Sequence, residues 1–284
     1  MTDPVPARAG RRRRRPERGL SGWLVVDKPS GLTSAQAVAR VKRLTGAAKA
    51  GHAGTLDPLA TGVLPIALGE ATKTVSYVMD GAKTYRFTVR WGEARSTDDA
   101  EGPVTATHSG RPAEAEIQAV LPRFRGQIEQ VPPVFSAIKV EGRRAYEMAR
   151  ADQAVVLASR RVMIRRLDLV ARPDADHAVF EVECGKGTYM RSLARDIALA
   201  LGTVGHVAAL RRLRVGRFGE EQAISLEQED HMGHSPALVA HLLPIETALD
   251  DIPALALTET EARKLRSGQD RRVARGQPRR PGGR

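Results

Sequence analysis

The stretch GHAGTLDPLATG, residues 51–62, decides how the rest of the chain is read. It is built mostly from glycine, alanine, threonine and proline, yet it holds one imidazole, His52, and one carboxylate, Asp57. Asp-Pro is by itself a common turn pair, because aspartate bonds the backbone that follows it and proline presets φ. The neighbours argue for more than a turn. Gly54, Gly62 and the small Ala53, Thr55, Ala60 and Thr61 let a backbone or a flat ligand approach closely. Aspartate is ionised at neutral pH and needs no base to act as a nucleophile. Asp57 is therefore a candidate nucleophile, with His52 placed to stack or hydrogen bond at a substrate ring.

On the N-terminal side, GWLVVDKPSGLTS (22–34) reads as a short buried strand broken by Pro29 and Gly31. Ser34 is expected to cap a helix through about Leu44, with Ala37, Val38, Val41 and Leu44 on one side. On the C-terminal side, VLPIALG (63–69) predicts an apolar strand, and EATKTVSYVMDG (70–81) a helix stopped at Gly81. KTYRFTVRWG (83–92) alternates, with Tyr85, Phe87, Val89 and Trp91 on the buried face of a strand. EARSTDDAEGP (93–103) reads as a polar loop, and Pro112 opens a helix through Leu121. QVPPVFSAIKVEG (130–142) is extended around two prolines and leads into a basic helix, RRAYEMARA (143–151). Residues 160–184 predict a hairpin, GTYMRSLARDIALALG (187–202) a helix, and LALTETEARKLRSGQ (255–269) a small terminal element. Strands interleaved with single helices and hairpins indicate α+β rather than a doubly wound sheet.

The chain has 284 residues, enough for a sizeable core. Its net charge of +12 is concentrated at the ends: residues 1–20 carry +5 and residues 271–284 carry +6, leaving +1 for residues 21–270. Both ends are expected to be disordered basic tails that add salt-sensitive attraction to phosphates. With 4% aromatic residues, a general stacking platform for single strands is not indicated. Cys184 is the lone cysteine, which excludes an internal disulfide and suits a reducing compartment. No apolar run nears the roughly 18 residues that span a bilayer, and Arg11 to Arg15 precede no apolar stretch, so no signal peptide is read. A cytoplasmic protein without membrane association is expected.

Several other patterns fail. GKGT (185–188) lacks the earlier glycine of a phosphate loop, since Phe180 stands there. HMGH (231–234) with Asp230 has no cysteine partner and lies in a polar stretch, so no metal site is assigned. Asp98 and Asp99 read as part of a solvated loop rather than a magnesium pair.

GHAGTLDPLATGVLP resembles the catalytic loop of the bacterial tRNA pseudouridine-55 synthases, the TruB family of pseudouridine synthases. The likeness extends to VVDKPSGLTS, KTYRF, STDDAEG, VPPVFSAIKVEGRRAYEMAR, CGKGTYMRSLARDI and HVAALRRLRVG, in the family's order over roughly residues 22–250. The resemblance implies a mixed, mostly antiparallel central sheet flanked by helices. It implies isomerisation of a flipped uridine in the T-arm of tRNA, a redox-neutral reaction that requires no cofactor. By the same resemblance Asp57 is the nucleophile. Tyr85 stacks on the uracil and handles protons, and His52 occupies the space left beside the flipped base. Arg191 pairs with Asp57, and a guanidinium fork could fix both carboxylate oxygens. Tyr189 and Leu210 line the uridine pocket, while Lys28 and Pro29 support the catalytic loop. Lys139, Arg143 and Arg144 belong to a thumb, about residues 125–152, that meets RNA phosphates.

The implied organisation is a catalytic domain over residues 21–245, a reduced C-terminal RNA-binding element over 246–270, and the two tails. No protein partner is required, and a monomer is expected. Two rival functions share these features. One is the catalytic subunit of a guide-RNA-dependent pseudouridylase, which relies on a fuller C-terminal domain than this chain provides. The other is a tRNA-folding chaperone that works without catalysis.

Overall fold

The computed structural model describes residues 19–136, 138–140, 143–144, 148, 157–226, 236–250, 252–253 and 256–269. Both arginine-rich ends, the 230–234 stretch and most of the 141–156 segment lie outside the described residues. Fourteen strands and six α-helices are described. The strands are β1 (Gly22–Lys28), β2 (Ala50–His52), β3 (Thr61–Leu68), β4 (Lys83–Trp91), β5 (Glu93–Arg95), β6 (Val104–Thr107) and β7 (Gly126–Gln130). They continue with β8 (Lys139–Val140), β9 (Arg143–Arg144), β10 (Arg160–Ala171), β11 (His177–Cys184), β12 (Gly205–Val215), β13 (Phe218–Gly219) and β14 (Ile224–Ser225). The helices are α1 (Ser34–Thr45), α2 (Val75–Asp80), α3 (Glu114–Val120), α4 (Met190–Ala200), α5 (Pro236–Ala240) and α6 (Glu259–Arg266).

Ten strands form one sheet in the order β14-β1-β3-β12-β4-β11-β10-β7, with β2 added to β3 and β13 to β12. Only the β1–β14 and β3–β12 pairings are parallel. The chain is thus α+β with a mixed, mostly antiparallel sheet.

Sequence pattern explains which half of this sheet is covered twice. In β1, Leu24 and Val26 enter the main core, while Trp23 and Val25 enter a second cluster on the opposite face. In β3, Leu64, Ile66 and Leu68 face the main core, and Val63 and Ala67 the second cluster. A strand buried on both faces reads as a continuous apolar run, which is what WLVV and VLPIAL are. The other half, β4, β11 and β10, alternates because its outer face is wet. That face carries Arg86–Glu181 at 3.1 Å and Arg165–Glu183 at 3.2 Å, exposed pairs worth about 0–1 kcal/mol each. Helix α4 closes the inner face with Leu193 and Ile197, both fully buried.

Four local expectations need correction. The N-cap of α1 is Thr33, whose side chain accepts from the Gln36 N–H, because Ser34 is engaged elsewhere. The first half of the 70–81 segment is a 3-10 helix (Gly69–Thr74), and only Val75–Asp80 is α-helical. The 93–103 segment is not all loop: β5 pairs with β6 as a short ribbon. Arg143 and Arg144 belong to a strand, not a helix. β9 pairs with β8 so that Lys139 stands opposite Arg144.

The 3-10 turn Ile245–Leu249 packs on the second cluster through Ile245 and Ala248, and Leu243 exchanges backbone hydrogen bonds with Trp23 at 2.8 Å. Residues 243–249 are therefore attached to the sheet. No described helix is long and apolar enough to cross a membrane.

Candidate active site

The loop carrying Asp57 runs between β2 and β3, and it is fastened on both sides of that residue. Before it, the Ser34 hydroxyl donates to the Leu56 carbonyl at 3.0 Å and accepts from the Leu56 N–H at 2.8 Å. That double bond is why Ser34 does not cap its helix. After it, the Pro58 carbonyl accepts from the Gly31 N–H at 2.8 Å and from the Lys28 ammonium at 3.2 Å. Lys28 is fully buried and also donates to the carbonyls of Pro29 and Leu32 at 2.8 and 2.7 Å. Burial pulls its pKa down to about 8, and the negative charge of Asp57 works in the opposite direction. Lys28 and Pro29 thus sit where loop support was expected.

Lys28→Met should keep the fold but lower stability. Methionine fills the volume, while the carbonyls of Pro29 and Leu32 lose the ammonium and that of Pro58 keeps only the Gly31 N–H, at a cost of about 2 kcal/mol or more. For a chain of this size that is a Tm lower by about 5 °C. Calorimetry of the two proteins checks it, and an unchanged Tm would show that the ammonium supports nothing.

At the far end of the loop, Gly62 has φ +99°, and an added Cβ there would collide with the Arg212 carbonyl oxygen. Only glycine lets β3 begin this close to β12. The Arg212 side chain is 1% exposed. Its guanidinium donates to the carbonyls of Val63 at 2.8 Å, Gly54 at 3.1 Å and Thr55 at 3.4 Å. It therefore holds the loop from beneath, a role the sequence reading missed. One signal could have found it. Arg212 lies two residues from Leu210 on one strand, so both point to the same face.

Arg191, the second residue of α4, is 6% exposed and brings its Nε within 3.0 Å of the Asp57 carboxylate. The contact is an ion pair without an aligned N–H···O hydrogen bond. The expected fork over both oxygens of Asp57 is not formed, because the terminal nitrogens are taken. One donates to the Thr97 carbonyl and the other to the Phe135 carbonyl, each at 3.0 Å.

Asp99 completes the arrangement from the other side, 3.6 Å from the same Nε. The pair Asp98 and Asp99 is not a solvated loop. Asp99 is 2% exposed and accepts from the Thr97 hydroxyl at 2.5 Å and the Glu101 N–H at 3.1 Å. Asp98, with φ +60°, pairs with Arg195 at 2.8 Å, one helical turn beyond Arg191. Successive aspartates thus meet arginines spaced i, i+4 on one helix.

Around this pair stand the aromatic residues. Burial pushes the Tyr85 phenol pKa up, and the positive charge of Arg212 pulls in the other direction. Burial likewise raises the Tyr189 phenol. The Asp57 charge reaches both rings, with a smaller upward effect on each. Tyr189 immediately precedes α4, and Arg160 lies 6.0 Å over its ring. Leu210, 9% exposed, belongs to the main core, against which Tyr85 also packs. His52 ends β2. Burial, then the Arg212 charge, lower its pKa, and its Nδ1 is buried without a partner.

Arg191 thus meets Asp57 directly, the Asp57 charge reaches the Tyr85 and Tyr189 phenols, and Lys28 and Arg212 hold the loop by its carbonyls. Lys139, Arg143 and Arg144 lie on the separate β8–β9 hairpin. No group of three metal-ligating side chains occurs among the described residues, and Asp230, His231 and His234 lie outside them. The Asp57 side chain keeps 36% of its surface open, so a guanidinium-held carboxylate faces accessible space. Such a group can attack an electron-poor carbon of a ring or sugar that enters there.

A family model described as TruB family pseudouridylate synthase (N terminal domain) matches residues 42–190. A second, described as tRNA pseudouridylate synthase B C-terminal domain, matches residues 191–250. The chain is 60% identical over 257 residues to a protein of Rhodospirillum rubrum named tRNA pseudouridine synthase B, covering 90% of this chain and 83% of the relative. It is 62% identical over 261 residues to a protein of the same name from Gluconacetobacter diazotrophicus, covering 90% and 84%. Among solved structures it resembles a chain of a Cbf5-Nop10-Gar1 complex, with TM-score 0.68 and 29% identity over 88% of this chain and 68% of that one. From the Asp57 loop through the strand that bears Leu210 and Arg212, these matches cover every element that builds the site, and the chain belongs to the TruB family of pseudouridylate synthases.

Proposed function

We propose that this protein is a stand-alone tRNA pseudouridine-55 synthase of the cytoplasm, acting as a monomer on the T-arm of tRNA. The observation that carries the reading is the Arg191–Asp57 contact at 3.0 Å on a loop fastened at Leu56, Pro58 and Gly54. Its support in kind comes from relatives near 60% identity that are named for tRNA. Converting uridine to pseudouridine breaks the N1–C1′ bond, turns the uracil and joins C5 to C1′. The C5 proton is lost and N1 gains one, so atoms and electrons balance without an oxidant or reductant.

The residues divide that work. The target base leaves its stack at a cost of a few kcal/mol, and His52, kept neutral by burial, fills the space it vacates. Tyr189 and Leu210 wall the pocket. Asp57 attacks the flipped nucleotide while Arg191 holds its charge in place. Tyr85 stacks on the uracil and handles the proton exchanged at C5. Arg212 beside the phenol offsets part of the burial that disfavours its ionised form. Lys139, Arg143 and Arg144 on the β8–β9 hairpin meet backbone phosphates, which positions the RNA without reading its sequence. Residues 21–245 form the catalytic domain and 246–270 a reduced RNA-binding element, with the two basic tails adding affinity.

The experiment is tritium release from unmodified tRNA labelled at uridine C5, with purified protein and no guide RNA. Release confined to the T-arm uridine is expected. No release without an added guide would favour the guide-dependent reading, for which the likeness to a chain of the Cbf5-Nop10-Gar1 complex is the specific observation. Rescue of tRNA folding by protein that releases nothing would favour the chaperone reading.

A further inference from the structure

Gln130 ends β7 and is 1% exposed. Its side-chain amide is spent entirely on one residue. Its Oε1 accepts from the Tyr189 N–H at 2.8 Å, and its Nε2 donates to the Tyr189 carbonyl at 3.1 Å. A side chain here replaces the backbone pairing that a neighbouring strand would supply. The residue it grips is the one from which α4 starts, since the Tyr189 carbonyl also accepts from the Leu193 N–H at 3.0 Å.

Two more bonds tie the same segments together. Arg195 donates to the Val131 carbonyl at 2.9 Å, and Arg191 to the Phe135 carbonyl at 3.0 Å. Residues 130, 131 and 135 are thus joined to residues 189, 195 and 191. The chain continues from Phe135 to the β8–β9 hairpin four residues later. The first turn of α4, which sets where Arg191 and the Tyr189 ring point, therefore has its orientation fixed from the root of that hairpin.

We infer that Gln130 is a positioning residue for pseudouridine formation: it sets the angle at which the Tyr189–Arg191 turn meets Asp57. This rests on the function proposed above. A leucine at 130 would fill the volume but leave the Tyr189 N–H without its acceptor and its carbonyl with the Leu193 N–H alone, and a half-buried group that loses its partner seeks another by moving. The turn would then rotate. Because Arg191 meets Asp57 through one nitrogen only, a small rotation removes the contact. RNA affinity, set largely by phosphate contacts, would stay.

The test compares wild type with Gln130→Leu and Gln130→Glu, in single-turnover tritium release at saturating enzyme and in filter binding of unmodified tRNA. Gln130→Leu should slow the single-turnover step by about tenfold to a hundredfold while Kd moves by less than about threefold. Gln130→Glu keeps the acceptor for the Tyr189 N–H and loses the donor to its carbonyl, so its rate should fall between the two. Ile117→Val, a buried core change in α3, supplies a destabilised comparator whose rate stays at wild type. A wild-type rate in Gln130→Leu overturns the inference, as does a loss confined to Kd. If Leu does not fold, a wild-type rate in Gln130→Glu overturns it equally. A wild-type protein that releases no tritium overturns the proposed function itself, and this inference with it, and is read before any variant.

Discussion

Asp57→Asn should yield a folded protein that still binds tRNA and whose tritium release falls by about 10⁴-fold or more. Folding survives because the side chain does not hold the loop. Leu56 is clipped by Ser34, Pro58 by Gly31 and Lys28, and the Asp57 carbonyl accepts from the Ala60 N–H at 3.1 Å. Every one of those bonds reaches backbone. Charge balance survives too, because Arg191 retains Asp99 at 3.6 Å and its two carbonyl acceptors. What disappears is the one nucleophilic oxygen, since an amide of the same shape attacks neither a sugar carbon nor a pyrimidine ring. Tritium release and a melting curve measured together decide the matter. Release near the wild-type rate would remove Asp57 from the chemistry, and a collapsed melting curve would assign it to the fold.

The contrast between loop and side chain also shows what could be read from the chain alone. Local signals were sufficient for β4, whose period-2 alternation is set by one wet and one dry face, and for α4, whose Leu193 and Ile197 mark one buried stripe. Glycine and small residues marked the Asp57 loop because their need is local: Gly62 must take a positive φ against β12. The groups that were missed all act through distant partners. Arg212 bonds residues 149 to 158 positions away, and Gln130 a residue 59 positions away. Nothing in RRLRV says which arginine turns inward until Leu210 fixes the parity of the strand. Asp99 carried less signal still. In sequence STDDAEG is a polar turn, and only the arrival of α4 converts its second aspartate from a solvated acid into a buried one. The fork drawn for Arg191 failed for a related reason. Arg191 has carbonyls to satisfy on both sides, and a sequence does not show how many acceptors compete for one guanidinium.

That competition makes Arg191 the residue whose loss should be felt on two scales at once. Arg191→Met removes the cation between Asp57 and Asp99 and strips a donor from the carbonyls of Thr97 and Phe135. Breaking a buried pair from one side typically costs about 3–5 kcal/mol; the open side of Asp57 lets water relieve part of this, so about 2–3 kcal/mol is expected, read as a lower Tm. Catalysis should fall by about 10³-fold, because Asp57 loses the group that orients it and meets an uncompensated carboxylate across the gap. Arg191→Lys separates charge from geometry. Its single ammonium restores a cation near both acids but cannot also reach Thr97 and Phe135, so the rate should recover only in part and stay about tenfold to a hundredfold low. A lysine variant with the wild-type rate would show that charge alone is needed at 191. A methionine variant with the wild-type rate would show that Asp57 needs no cation beside it.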